Sequence, residues 1–386
     1  MLLVQDFLRT HSNGLAELQQ KYAILVKQHG TYPNLTLLKY NQLESPLTEP
    51  LVQECRGLIL DSDDNWRVIS RSFNKFFNSA EGHAAVIDWK TAKVQEKQDG
   101  SLCVIYHYDN RWHVQTSGTP DATGDVNGLN LSFADLFWRV FNAQGLPVPE
   151  PSSSWGLPSE FSKQLTVIAP YCDPYDLCLA FELTTPYNRV VVPHKDSRLT
   201  LIGVRNRVTQ EEYPVSQFAH VYPVVKEFPL HSLDQILTAA NQLNPMEQEG
   251  YVVVDADFNR IKCKSPQYVA LHHLKDGFGP RRILEIVRTN EVSEFLTYFP
   301  EWKDQFDETK SRYDALVNEL EEAYDKISHF SVQKDFALEA VKTRCSGALF
   351  ALRKGQITSI REFFRDSNIR HLMELLKLKD ITVNVE

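Results

Sequence analysis

The stretch VQEKQDGSLCVIY spans residues 94–106. It sets a lysine beside a glutamate, one residue before glutamine and two before an Asp-Gly pair, with apolar residues on both sides. A solvated charge run needs no apolar flanks. A buried strand has no use for Lys-x-Asp-Gly in its path. The stretch therefore predicts strand, tight turn, strand, with Lys97 at the mouth of the turn. Taken alone it is weak: a Lys-x-Asp-Gly match arises by chance in about one chain in ten of this length. The plain alternative is a surface turn with Asp-Gly at its corner. The rest of the chain decides between them.

With 386 residues, the chain is too long for one ordinary core, and two domains are expected. Hydrophobic content of 42% and charged content of 24% place it among soluble globular proteins. No run approaches the roughly 18 apolar residues of a membrane span. The opening MLLVQDFLRTHSNGLAELQQKY has no basic flank and no small-residue cleavage site, so it reads as an amphipathic helix rather than a signal peptide. The six cysteines are scattered, which suits reduced thiols and a cytoplasmic setting. Cys172 and Cys178 lack the further ligands of a zinc site. A net charge of −9 argues against a general nucleic-acid coat but leaves room for a local basic patch.

Residues 1–45 read as helical, then extended. From about 50 to 265 short β-branched runs alternate with turns: RGLIL, WRVIS, SLCVIYHY, RWHVQT, LCLAFEL, RVVVP, LTLIGVR, GYVVVD and RIKCKS. The Pro- and Ser-rich segment 145–160 marks an inserted loop. From about 270 the period becomes helical, with Phe306, Tyr313, Leu316, Leu320 and Ile327 on one stripe. The expectation is an α+β domain over 1–270, built of antiparallel sheets with flanking helices, followed by an all-α domain over 271–386. Residues 301–339 hold 11 acidic and 5 basic side chains, whereas 342–379 hold 9 basic and 3 acidic. The second block is either a solvated face with counter-charges or a polyanion-binding surface.

Within the β-rich part the charged residues fall into a pattern. Glu182 follows the apolar run LCLAF and should face a cleft near a strand's end. Glu249 opens the strand GYVVV. Lys262 and Lys264 are two apart, so they share one face of a strand, while Ile261 and Cys263 take the other. Arg56 precedes the apolar run GLIL, and Lys75 is interleaved with Phe73, Phe76 and Phe77. Cations of this number suit a nucleoside triphosphate, and two carboxylates suit a hydrated divalent metal. The set also suits a lysine nucleophile. A free lysine titrates near 10.4, so an amine competent near pH 7.5 must lose ~3 units, about 4 kcal/mol. Neighbouring cations supply such a shift by disfavouring the ammonium form.

These motifs, in this order, resemble the RNA ligase 1 family of covalent nucleotidyltransferases, in its phage-type tRNA-repair branch. KQDGSL resembles the nucleophile motif, FELTTPYNRVV the motif around Glu182, and LIGVRNR the one after it. EGYVVVD and IKCKS resemble the last two, and CRG and KFFN lie upstream as in the family. The resemblance implies an ATP-grasp-like fold and ATP-dependent joining of RNA 5′-phosphate and 3′-hydroxyl ends, tRNA among them. Lys97 would carry AMP, and Lys262 and Lys264 would grip the α-phosphate. Arg56 and Lys75 would orient the β- and γ-phosphates. Glu182 and Glu249 would hold Mg²⁺ or Mn²⁺, in part through water, or the ribose. Glu96 would line the nucleotide site, and Val252 would wall an apolar slot for adenine. The helical domain would select RNA, and a monomer is expected. One departure stands out: Thr116 and Ser117 occupy the place where family members often carry a basic residue. The rivals are a GTP-dependent mRNA guanylyltransferase and a non-catalytic RNA- or nucleotide-binding protein. The first is weakened by the lack of a strand-rich pattern after residue 264, the second by the full set of charged residues.

Overall fold

A computed structural model of the chain describes residues 1–126, 129–150, 172–188, 190–274 and 279–378. Residues 151–160 of the expected inserted loop lie outside these. The chain forms two units, one of residues 1–41 and 45–268, the other of residues 42–44 and 269 onward.

The first unit starts with α1 (Leu3–Thr10) and α2 (Gly14–Tyr22), then β1 (Ile24–Gln28), β2 (Leu35–Tyr40), α3 (Pro50–Glu54), β3 (Arg56–Asp61) and β4 (Arg67–Ser70). The four strands form one antiparallel sheet in sequence order. Leu38, Leu58 and Leu60 alternate onto its helix-covered face, and Leu35, Leu37 and Ile59 onto the other. The start of α1 is bound by a distant carboxylate. Buried Glu54 accepts the N–H groups of Leu3 (3.1 Å) and Val4 (2.9 Å), which have no partner inside the helix.

Next come β5 (Phe77–Asn78), β6 (Lys93–Lys97), β7 (Ser101–Tyr108), β8 (Arg111–Thr116), α4 (Phe133–Ala143), β9 (Leu177–Thr184), β10 (Arg198–Asn206), β11 (Glu212–Tyr213), β12 (Glu227–Phe228), α5 (Leu233–Ala240), β13 (Gly250–Val254), β14 (Arg260–Lys264) and α6 (Pro266–Leu274). They make two five-stranded sheets, ordered β11-β10-β9-β7-β8 and β12-β6-β13-β14-β5. All pairs are antiparallel except β14 with β5. In the first of these sheets Cys103, Ile105, Leu179, Phe181 and Leu183 face a core shared with Phe137 and Phe141 of α4. Val104, Cys178 and Ala180 face Leu35, Leu37 and Ile59 of the N-terminal sheet. In the second, Val94, Tyr251, Val253, Ile261 and Cys263 are buried with Ile236 and Ala240 of α5. Its opposite face carries the lysines.

The strand, turn, strand reading of 94–106 corresponds to β6 and β7, which lie in different sheets, so the chain crosses between sheets at 98–100. One sequence expectation needs correction. The run RVVVP is not a strand over its described residues 190–193. Its N–H groups at Val191 and Val192 donate to the Asp99 carboxylate instead of to a ladder. The six cysteines are free thiols, and no helix among the described residues is long and apolar enough to cross a membrane.

The second unit is helical: α7 (Pro280–Arg288), α8 (Val292–Tyr298), α9 (Lys303–Ile327), α10 (Gln333–Ala340), α11 (Ser346–Arg353), α12 (Ile360–Asp366) and α13 (Ile369–Leu375). The stripe Phe306, Tyr313, Leu316, Leu320 and Ile327 is buried along α9 against Leu284, Phe336, Leu349, Phe364 and Leu372. Four of the eight cations of 342–378 have acidic partners among the described residues. Arg361 is half-buried and bonds Asp314 (2.9 Å), Arg365 bonds Asp366 (2.9 Å), Lys342 bonds Glu339 (2.6 Å), and Arg344 pairs with Glu319. Arg353 lies over the Phe336 ring. Lys354, Arg370 and Lys377 make no ion pair among the described residues, and Lys379 lies outside them. Counter-charges thus absorb much of the expected basic patch.

Glu54 supplies a prediction. Removing its buried, charge-assisted bonds leaves two helix N–H groups without partners. Glu54→Ala should therefore cost about 1–3 kcal/mol in urea unfolding. A midpoint equal to that of the parent would show that water replaces the carboxylate without loss.

Candidate active site

Three adjacent strands bring two lysines and the glycine between them into one row. Lys97 ends β6, Gly250 starts β13, and Lys264 ends β14, each opposite the next. Glu249, one residue before Gly250, is buried. Its Oε2 accepts from Lys97 Nζ at 2.6 Å, and its Oε1 pairs with Lys264 Nζ at 3.2 Å. The row is tight at its centre. A Cβ on Gly250 would fall 2.3 Å from the Cys263 carbonyl oxygen, so no larger residue fits there. Two residues along, Gln95, Val252 and Lys262 form a second row on the same face, and Lys262 is also opposite Asn78.

That face and the β9–β7 sheet enclose a cleft of about 280 Å³. One side brings Lys97, Gln95, Val252 and Arg260; the other brings Leu102, Glu182 and Ile202. Arg56, Phe73, Phe76 and Glu96 complete its wall. Lys75 lines an adjoining depression that shares Phe73, Phe76 and Arg260 with the cleft. Its ammonium sits 5.1 Å from the Tyr40 ring and 5.0 Å from the Phe77 ring. Lys97, Glu249 and Lys264 are therefore in direct contact. Arg56, Glu96, Glu182 and Val252 surround them, and Lys75 stands next door.

Arg56 reaches the cleft because of a bulge. Leu38 is opposite Leu58, but Lys39 is opposite Arg56, so Gly57 is an extra residue in β3. Without it, alternation would place Arg56 with Leu58 on the helix-covered face. Gly57 has φ +74°, and a Cβ there would lie 3.0 Å from the Ser117 Cα. The re-aimed guanidinium lies over Phe76 (5.3 Å) and Phe73 (5.9 Å), with a buried Nη1 that has no hydrogen-bond partner.

Asp99 has a structural place. Its carboxylate accepts from Val191 N (2.9 Å), Val192 N (2.7 Å) and the Tyr268 hydroxyl (2.9 Å). Gly100 is needed beside it, since a Cβ would meet the Leu183 carbonyl oxygen at 2.6 Å. In LIGVRNR, Arg205 pairs with buried Glu212, and Arg207 pairs with Asp176 (3.4 Å) and donates to the His107 carbonyl.

Sequence reasoning missed Arg260, Gln95, Phe73 and Phe76 as cleft residues. Arg260 was discoverable: it stands two before Lys262, hence on the same face. It lies 4.4 Å over Phe73 and shares Glu212 with Arg205. Gln95 likewise stands two before Lys97.

Burial pushes the Glu182 carboxyl up to about 7. Lys97 and Arg56 pull it down, while Glu249 and Asp99 push it further up. Burial also raises Glu96, against the pull of Lys226 and His194. No group of three or more His, Cys, Asp or Glu among the described residues is placed to hold a metal. Two carboxylates, one of them destabilised by its burial and its neighbour's charge, fit an ion that keeps most of its water and shares substrate phosphates.

The first unit is thus a three-sheet α+β domain in which one end of a lysine–carboxylate–lysine row, Lys97, enters a cleft. The family model described as RNA ligase matches residues 54–268, and the chain belongs to that family. It is 30% identical over 309 residues to a protein of Autographa californica nuclear polyhedrosis virus named for polynucleotide kinase and RNA ligase, covering 76% of this chain and 41% of that protein. It is 25% identical over 371 residues to an RNA ligase of Rhodothermus phage RM378, covering 80% of this chain and 79% of that one. A solved RNA ligase structure from Naegleria gruberi aligns at 15% identity and TM-score 0.33, over 47% of this chain and 51% of the other.

The Glu182 shift has a signed consequence. Between about pH 4.5 and 7 the folded protein holds a proton there that the unfolded chain has released. Stability contributed by this group therefore falls as pH rises through that window and is level above it. Glu182→Gln should flatten that slope relative to the parent in denaturant unfolding at pH 5, 6, 7 and 8. Glu249→Gln should lower the Glu182 titration midpoint, since it removes a repelling charge. Identical slopes for parent and Glu182→Gln would show that the carboxyl titrates at its ordinary value.

Proposed function

We propose that this protein is an ATP-dependent RNA ligase that joins 5′-phosphate and 3′-hydroxyl RNA ends through a lysyl-AMP intermediate on Lys97. The observation that carries this reading is the row Lys97–Glu249–Lys264, whose Lys97 lines a cleft that also holds Arg56 and Arg260. Membership of the RNA ligase family supports it.

In the first step the Lys97 nitrogen, free of its proton, forms a bond to the α-phosphorus of ATP. The bridging P–O bond to the β-phosphate breaks, and pyrophosphate leaves with that electron pair. AMP then passes from Lys97 to the RNA 5′-phosphate, and the 3′-hydroxyl of the other end displaces AMP. The chain contributes position and charge to all three steps. Glu249 orients the Lys97 side chain, and Lys264 balances the same carboxylate. Lys264 and Lys262 gather charge developing on α-phosphate oxygens. Arg56 and Lys75, braced on aromatic rings rather than tied to carboxylates, direct the β- and γ-phosphates away from Lys97. Val252, Leu102 and Ile202 give an apolar wall for the base, and Gln95 and Glu96 give it polar edges. A magnesium or manganese ion held by Glu182 and Glu249, in part through water, would supply further positive charge at the phosphates. The helical unit would contact RNA through the cations that lack acidic partners, and the protein would act as a cytoplasmic monomer.

Incubation with labelled ATP or GTP and Mg²⁺, followed by denaturing electrophoresis, tests the reading. An acid-labile adduct is expected from ATP and not from GTP. Lys97→Ala and Lys97→Arg should both abolish it, because a guanidinium stays protonated and is no nucleophile. Adduct in either variant would falsify the assignment, and equal yields from the two nucleotides would revive the capping alternative. The bulge gives an independent check. Gly57→Ala forces a side chain into positive φ at a cost of about 1–2 kcal/mol and turns Arg56 away. It should weaken ATP binding as much as Arg56→Ala does. Full ATP affinity in Gly57→Ala would show that Arg56 finds the cleft without the bulge.

A further inference from the structure

The bulge that turns Arg56 into the cleft also sets a second cation beside it. Lys39 and Arg56 are direct cross-strand partners, so their side chains leave the sheet on the same face. This is the face of Leu35, Leu37 and Ile59, which packs on the β9–β7 sheet. Like charges directly opposite one another destabilise a strand pair. Lys39 and Arg56 make no ion pair or hydrogen bond to an acidic side chain among the described residues; Arg56 feels the Glu182 carboxylate only at a distance, and its Nη1 is buried without a partner. Lys39 Nζ lies 3.5 Å from where a Cβ on Gly118 would stand. It thus sits against the Thr116–Gly118 turn, whose Ser117 packs on Gly57. That turn supplies hydroxyls but no cation of its own.

We propose that Lys39 is a further phosphate-binding residue, forming with Arg56 a two-cation clamp for the β- and γ-phosphates of the bound nucleoside triphosphate. The clamp rests on the reading of the cleft as an ATP site. It explains an arrangement that costs stability in the empty protein, since a polyphosphate set between the two side chains removes their repulsion. Gly118 leaves this space to the Lys39 side chain, whose Nζ would touch any Cβ placed there.

The test uses the full-length chain and the variants Lys39→Met and Lys39→Arg. Inorganic pyrophosphate and ATP are the probes, in calorimetric titrations and in single-turnover adduct formation on Lys97. Lys39→Met should raise the ATP concentration for half-maximal adduct formation by about tenfold or more, and weaken pyrophosphate binding to the same degree. Lys39→Arg should recover most of both. The thermal midpoint should not fall in Lys39→Met, and removal of a repelling charge should raise it. Joining of chemically pre-adenylylated RNA, a step that contains no triphosphate, should proceed as in the parent. Unchanged ATP and pyrophosphate dependence would overturn the proposal. So would a defect confined to pre-adenylylated RNA, which would assign Lys39 to the RNA backbone. A lowered midpoint that Lys39→Arg does not restore would assign it to the fold. Lys39-dependent pyrophosphate binding without any adduct in the parent would uphold the clamp and refute the ligase reading, so the two fail separately.

Discussion

The buried carboxylate of Asp99 is the constraint on which the site depends. The chain must leave β6, cross to another sheet, and start β7 within three residues. Such a crossing strips backbone groups of ladder partners, and nothing in local propensity holds it. Asp99 solves this from the middle of the crossing. It gathers two N–H groups from 191–192 and a hydroxyl from Tyr268, and its carbonyl meets His194 at 2.7 Å. Two remote segments, 191–194 and the start of α6, are tied to one residue. Lys97, two positions earlier, inherits a fixed place where the two sheets diverge. The cleft is that divergence.

From there the geometry follows with few free choices. Antiparallel register puts Gly250 opposite Lys97 and Lys264 opposite Gly250. Period-two alternation then sends Gln95, Val252, Lys262 and Arg260 to the same side, while Val94, Val253, Ile261 and Cys263 seal the other side against α5. Glu249 sits just ahead of the strand, so its carboxylate can curl over the row and meet both lysines. A register slip of one residue would bury the lysines and expose the valines. The core that stabilises the sheet therefore also enforces the order of charges on its open face.

Much of this was readable in the chain. The strands β3, β4, β7, β8, β9, β10, β13 and β14 follow alternating β-branched runs, and the shared face of Lys262 and Lys264 needed only a period of two. The stripe on α9 was equally plain. What escaped was long-range. Asp-Gly suggests a hairpin corner, and no local signal says that the next strand joins another sheet. The run RVVVP has strong β propensity, but the N–H groups of Val191 and Val192 serve a carboxylate 92 and 93 residues away. The bulge at Gly57 was hidden because a glycine after an arginine has many explanations. Only the pairing with β2 shows that it inverts the side chain before it. Lys39 was invisible for the same reason, as its neighbours at 56 and 118 are remote in sequence.

The two units hold their cations in different ways, and the difference bears on function. In the helical unit arginines are mostly held by carboxylates, as Arg361 is by Asp314 and Arg344 by Glu319. Such pairs have little net charge to offer a phosphate. In the first unit Arg56 and Lys75 are held by ring faces, and Arg260 by a ring together with Glu212. An aromatic ring fixes a cation's position without cancelling its charge. A chain with a net charge of −9 can in this way keep a concentrated positive field in one cleft. The interleaving of aromatic and basic residues in SFNKFFN is then more than packing. Rings hold the cations in place where carboxylates would have neutralised them, and the charge stays available for the polyphosphate that the cleft is proposed to bind.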